Sequence, residues 1–179
     1  YPDAQYLLVE AQEVHREALV RYCSDRAKAS FVLAAAGDAR GSVFFDDSSP
    51  FGGVASKAKT SFARSELMQT TLDFEVQQRN LPPPYLVKLD THGYEVPILK
   101  GANAHVLPHA NLLVIEVYNF RILDDSLIFD EIVRYMRELG FGVFDISEPL
   151  WRSRDGAFWQ MDFIFVPLSR PEFQINTYA

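Results

Sequence analysis

A chain of 179 residues with 48% hydrophobic content can build one core of ordinary size and at most a small appendage, so a single domain is expected. Its formal net charge of -7 and pI near 5.0 exclude a broad phosphate-binding surface, which needs clustered Lys and Arg, and no nucleic-acid partner is expected. Cys23 stands alone, which excludes a disulfide framework and is compatible with a reducing cytoplasm; the longest apolar stretch, Phe31 to Ala36, falls far short of the roughly 20 residues of a spanning helix, so no membrane partner is expected.

Tyr6 to Val9 is a short apolar run ending at Glu10, and Val14, Ala18, Leu19 and Tyr22 follow at helical spacing. Phe31 to Ala36 predicts a second buried strand, stopped by Gly37 and Asp38. Ala39 to Gly41 predicts a turn, Ser42 to Phe45 a hairpin arm, and Asp46 to Lys59, rich in Ser, Gly and Lys, a surface loop. Ser65 to Thr71 alternates as an edge strand does, Leu72 to Gln78 predicts one or two helical turns, and Pro82, Pro83 and Pro84 make a stiff connection.

The clearest stretch is Tyr85 to Ala102. Leu86, Val87 and Leu89 predict a covered parallel strand; polar Asp90, Thr91 and His92 end it, Gly93 permits a left-handed turn, and Pro97 suits the first turn of a helix. Leu112 to Val117 predicts another parallel strand, with Glu116, Tyr118 and Asn119 at its end. Asp124, Asp125 and Ser126 offer caps for a helix burying Phe129, Ile132, Val133, Met136 and Leu139, which Gly140 stops. Gly142 to Ile146 and Met161 to Val166 predict two antiparallel strands around a loop holding Trp151 and Trp159. The alternation predicts an α/β fold, a doubly wound and mostly parallel sheet with an antiparallel C-terminal strand. Ligands of such sheets bind outside the carboxyl ends of the strands, which singles out Asp90 and His92.

Glu10 after a strand, AAAGDARGSVFF from Ala34 to Phe45, and VKLDTHGYEVPILKGA from Val87 to Ala102 together resemble the FkbM family of S-adenosylmethionine-dependent methyltransferases. Lys88, Asp90, Gly93, Glu95, Leu99, Lys100 and Gly101 match that family's pattern, while His92 stands where it usually has a glutamate. Leu72 with Asp73, and the strand ending at Glu116, fit the family's order. The resemblance implies a Rossmann-like fold, S-adenosylmethionine as cofactor, and methyl transfer to a hydroxyl of a sugar or other secondary metabolite, with a small-molecule or glycan acceptor as partner. No Gly-x-Gly turn precedes Glu10, so a domain lacking its first strand is expected, and a non-catalytic binding or scaffolding role is the competing expectation.

On this resemblance Glu10, with Ala11 beside it, binds the cofactor ribose, because an acid after a strand can accept both ribose hydroxyls. Gly37 and Asp38 either line the adenine pocket or form a plain turn. Asp90 orients the donor or the acceptor hydroxyl as a catalytic and cofactor-binding residue, and His92 either takes the acceptor's proton, as an imidazole can at neutral pH, or is a polar turn residue. Glu95 meets free amides in the first turn of its helix. Asp90, Glu116 and Asn119 offer three oxygens to a divalent cation, which is weak evidence, and no metal is assigned.

Overall fold

Short apolar runs make the first two strands, Tyr6–Glu10 (β1) and Ala29–Leu33 (β2), which pair in parallel with Glu10 opposite Leu33. The computed structural model describes residues 3–63 and 65–178. It divides into two compact units, Tyr1–Pro82 with Pro97–Leu107, and Pro83–Val96 with Pro108–Ala179. Among the described residues no helix is long and apolar enough to cross a membrane.

In the first unit, a helix at Arg16–Ser24 (α1) joins β1 to β2. It buries Leu19 and leaves Ala18 exposed, and Val14, also exposed, lies before it in a tight helical turn at Glu13–His15. The single strand expected from Phe31 to Ala36 is two: β2 pairs with β1, whereas Ala35–Ala36 (β3) joins a second sheet. That sheet adds Gly41–Asp46 (β4), Val54–Ser56 (β5) and Ser65–Thr70 (β6) in the order β3-β6-β4-β5, parallel only between β3 and β6. The segment expected as a loop thus holds β5, and β6 lies between two neighbours instead of at an edge.

Leu72–Gln78 (α2) begins at Thr71, whose side chain accepts the Phe74 amide at 3.2 Å, as an N-cap does. Asp73 in its first turn accepts the amides of Ala104, His105 and Val106 at 2.8, 3.0 and 2.7 Å. Such charge-assisted bonds are worth about 1.5–3 kcal/mol each before non-additivity. Gly101 is needed here because a Cβ on it would stand 1.9 Å from the Gly37 carbonyl oxygen.

The second unit carries Tyr85–Leu89 (β7), Ala110–Tyr118 (β8), Phe129–Glu138 (α4), Phe141–Trp151 (β9) and Phe158–Pro167 (β10), with the helix Glu95–Lys100 (α3) beginning in it. Its sheet runs β7-β8-β10-β9, with β7 and β8 parallel and β10 antiparallel to both neighbours. Leu113, Ile115 and Val117 of β8 and Phe165 of β10 are fully buried, as are Ile132 and Met136 of α4, and Phe129 meets Phe163 edge to face at 6.5 Å. Burying each such side chain is worth about 1.5–3 kcal/mol. The alternate residues Lys88, Glu116, Gln160 and Asp162 point to the opposite face together with Leu86, Leu112, Val114 and Ile164, so that face is mixed; Leu86 is exposed, and β7, at the end of the strand order, is not covered on both faces as expected.

The α/β class holds, and among the described residues the sheets are small and mixed, without the single doubly wound, mostly parallel sheet that was expected. Among the described residues the strands divide among one two-stranded parallel sheet and two four-stranded mixed sheets. The antiparallel pairs β4–β5 and β9–β10 follow from short connections, since a few residues can join antiparallel strands but not parallel ones. The β9–β10 hairpin also absorbs both tryptophans: Trp151 ends β9 and Trp159 lies in β10, where a loop was expected. Ser126 does not cap α4 either. Its hydroxyl accepts the Ile122 and Leu123 amides at 3.1 Å each, and the Ile128 amide is met instead by Glu131 at 3.0 Å.

Candidate functional site

Leu89 is the last residue of β7, and the chain turns as soon as the strand ends. His92 and Gly93 both take left-handed backbone conformations, with φ of 50° and 98°. Gly93 permits this without strain, and a Cβ on it would press on Ser126 at 3.1 Å. The turn is held from within by Glu95, whose Oε1 accepts the Gly93 amide at 2.9 Å and the Thr91 hydroxyl at 3.2 Å. Glu95 is 3% exposed, and burial raises its carboxyl above the ordinary glutamate value of 4.5 against the lowering effect of these bonds.

This turn delivers His92 toward β8. Its Nε2 lies 3.9 Å from Glu116 Oε1, and its ring stands 6.2 Å from that of Tyr118, tilted by 51°. Ligand atoms of Asp90, His92 and Glu116 all lie within 4.8 Å of one another. The parallel register explains the meeting: Leu89, the last residue of β7, is opposite Ile115, so Asp90 follows it beside Glu116, which is still within β8.

Glu116 is the firmly held member. Tyr118 donates its hydroxyl to Oε1, and the Gln160 amide donates to Oε2 from the cross-strand neighbour β10. Burial pushes the Glu116 carboxyl up; the Tyr118 hydrogen bond opposes this, the Asp90 charge adds to it, and His92 and Lys88 oppose it. The Tyr118 phenol is likewise pushed well up, by burial first and then by its bond to Glu116. Asp90 is looser: its carboxylate is half exposed and 3.7 Å from the Lys88 ammonium, which itself donates to both oxygens of Asp162.

Asn119 donates its side-chain amide to the Phe158 carbonyl at 3.2 Å. Tyr118, Gln160 and Asp162 were missed by sequence reasoning. Tyr118 had a signal, standing two residues beyond Glu116 on the same strand face, but Gln160 and Asp162 meet the site only through the pairing of β10 with β8.

The remaining candidates lie in the first unit. Glu10 ends β1 and accepts the Gln12 amide on Oε1 at 2.7 Å. Ala11 and Gln12 line a cavity of about 250 Å³ together with Glu13, Val14, Asp47, Pro50 and Leu67. Gln12 is fixed there by bonds to the Ser49 and Pro50 carbonyls at 3.1 and 3.2 Å. Gly37 follows β3 and donates its amide to the Thr70 carbonyl at 2.8 Å, and Asp38 pairs with Lys57. A Cβ added at Gly37 would fall 1.8 Å from the Gln69 side-chain amide nitrogen, so Gln69 would have to move to admit it.

No curated protein and no solved structure matches the chain. The Methyltransferase FkbM domain matches residues 4–143, which covers β1 through the start of β9 and includes Asp90, His92 and Glu116. A match over most of the chain settles the family, and the protein is a member of the FkbM methyltransferase domain family.

Proposed function

We propose that the chain, with a Rossmann-like methyltransferase fold, transfers a methyl group from S-adenosylmethionine to a hydroxyl of a small molecule or glycan, such as a sugar or other secondary metabolite. The observation that carries this reading is the convergence of Asp90, His92 and Glu116 at the carboxyl ends of the parallel strands β7 and β8, in a chain of a methyltransferase family. Bound S-adenosylmethionine would supply the methyl carbon, whose C–S bond would break with its electron pair kept by sulfur as the acceptor's C–O bond forms, and the hydroxyl proton would pass to a base. Holding the reactants together supplies much of the rate, and the base supplies the rest. Asp90 orients the hydroxyl, and the His92 imidazole takes its proton.

In the first unit, Glu10 keeps Oε2 for the ribose hydroxyls while Oε1 holds the Gln12 amide, and Ala11 presents its cavity face to the nucleoside. Gly37 and Asp38 serve the adenine, with Asp38 sharing its carboxylate between Lys57 and the exocyclic amine.

Calorimetric titration with S-adenosylmethionine should show one site per chain, weakened at least tenfold by Glu10→Ala. In an assay of S-adenosylhomocysteine release over a panel of hydroxylated acceptors, Asp90→Asn should lower turnover more than cofactor affinity. A chain that binds no S-adenosylmethionine overturns the reading, and an unchanged rate in Asp90→Asn removes Asp90 from the mechanism.

A further inference from the structure

Two carboxylates and one imidazole meeting at the ends of two neighbouring strands are a ligand set as well as a proton-handling set. Around a divalent ion with bonds of about 2.0–2.2 Å, ligand atoms stand about 3–3.5 Å apart. His92 Nε2 and Glu116 Oε1 are already at 3.9 Å, and the Asp90 carboxylate is within 4.8 Å of both. Half exposed and without a hydrogen bond at normal distance to Lys88, Asp90 can close the remaining gap by a side-chain rotation.

Two independent features favour a cation here over a chance cluster. The first is support from outside the three ligands: Tyr118 and Gln160 each hold one oxygen of Glu116, the kind of outer contact that orients a metal-binding carboxylate and leaves its other lone pairs free. The second is charge. Asp90, Glu116 and Asp162 lie around one lysine, and Lys88 gives its short contacts to Asp162 at 2.7 and 2.8 Å while standing 3.7 Å from Asp90. Asp90 and Glu116 are therefore left without a full countercharge.

We propose that Asp90, His92 and Glu116 bind one divalent first-row transition-metal ion of the manganese, cobalt or zinc type. The imidazole selects against magnesium and calcium, which take oxygen ligands, and the absence of thiolate among the three selects against copper(I). Three protein ligands leave coordination positions open for a substrate oxygen. With the ion in place His92 would be a ligand and no longer the base: the ion would lower the pKa of the acceptor hydroxyl, and the proton would be released to solvent water. That role in turnover rests on the methyltransferase reading; binding of the ion does not.

The test is metal binding by the full chain without any cofactor. After chelator treatment and dialysis, manganese chloride is titrated against the protein and free ion is followed by electron paramagnetic resonance; cobalt chloride is titrated while its visible d–d absorption is read. One ion per chain is expected, with magnesium chloride competing at least a hundredfold more weakly. Asp90→Asn, Glu116→Gln and His92→Asn should each weaken manganese binding at least tenfold, and His92→Asn should also shift the cobalt spectrum by removing a nitrogen ligand. Asparagine is chosen because it accepts a φ near 50°, and circular dichroism confirms that each variant folds. Absence of stoichiometric uptake of manganese, cobalt and zinc overturns the proposal, as does uptake that all three substitutions leave within twofold. Because S-adenosylmethionine plays no part in the titration, its failure and that of the methyltransferase reading are separate results.

Discussion

The Lys88 ammonium reaches across the whole width of strand β8 to donate to both carboxylate oxygens of Asp162, at 2.7 and 2.8 Å. Lys88 is on β7 and Asp162 on β10, so the pair ties together two strands that are not neighbours. Its lysine is two-fifths exposed, which screens the charge interaction and limits its worth to about 0.5–1 kcal/mol. Lys88→Met and Asp162→Asn should each lower stability by about that amount, and the double variant should cost less than the sum. Urea denaturation of the four proteins checks this, and strictly additive losses would show that the pair does not couple the strands.

Gly101 is a position where one methyl group is decisive. Its added Cβ would meet backbone, the Gly37 carbonyl oxygen at 1.9 Å, and backbone cannot swing aside as a side chain can. Gly101→Ala should destabilise by about 3 kcal/mol or more, at the top of the range for overpacking. Gly140→Ala is the control: its φ is +88° but nothing lies within 4 Å of the new Cβ, so the cost is left-handed strain alone, about 1–2 kcal/mol. Thermal unfolding that ranks Gly140→Ala as the worse of the two would contradict the packing argument.

Glu95 makes stability depend on pH. Burial raises its folded-state carboxyl above 4.5, so the folded chain holds the proton more tightly than the unfolded chain does. The contribution of Glu95 is therefore fully present below about pH 4.5 and is lost as pH rises through the raised folded value, where the buried group must ionise. Glu95→Gln keeps an acceptor for the Gly93 amide and cannot ionise. Its stability should fall less between pH 4.5 and 8 than that of the parent, measured by denaturant midpoint at each pH; parallel profiles would remove Glu95 as the source.

The turn after β7 was legible because hydrophobicity stops at Leu89 and Asp90, Thr91, His92 and Gly93 follow at once. Periodicity and turn chemistry are local, and a strand end is a local event. Which residues face that turn is not. Gln160 and Asp162 are more than forty positions beyond Glu116, and only the register of β10 on β8 brings them there. The burial of β6 failed to show for the same reason: Met68 is exposed and Leu67 half-buried, so its pattern looks like that of an edge, yet β3 and β4 flank it. In Phe31 to Ala36 the composition is uniformly apolar, and nothing in it marks Ala34, where the chain leaves one sheet for another.

The unequal anchoring of the two carboxylates works as a vice with one fixed jaw and one sliding jaw. Each oxygen of Glu116 accepts one hydrogen bond, from Tyr118 or from Gln160, whereas Asp90 is half exposed and reaches Lys88 only at 3.7 Å. For an ion bound as proposed, Glu116 would be the fixed reference and Asp90 the ligand that adjusts to it.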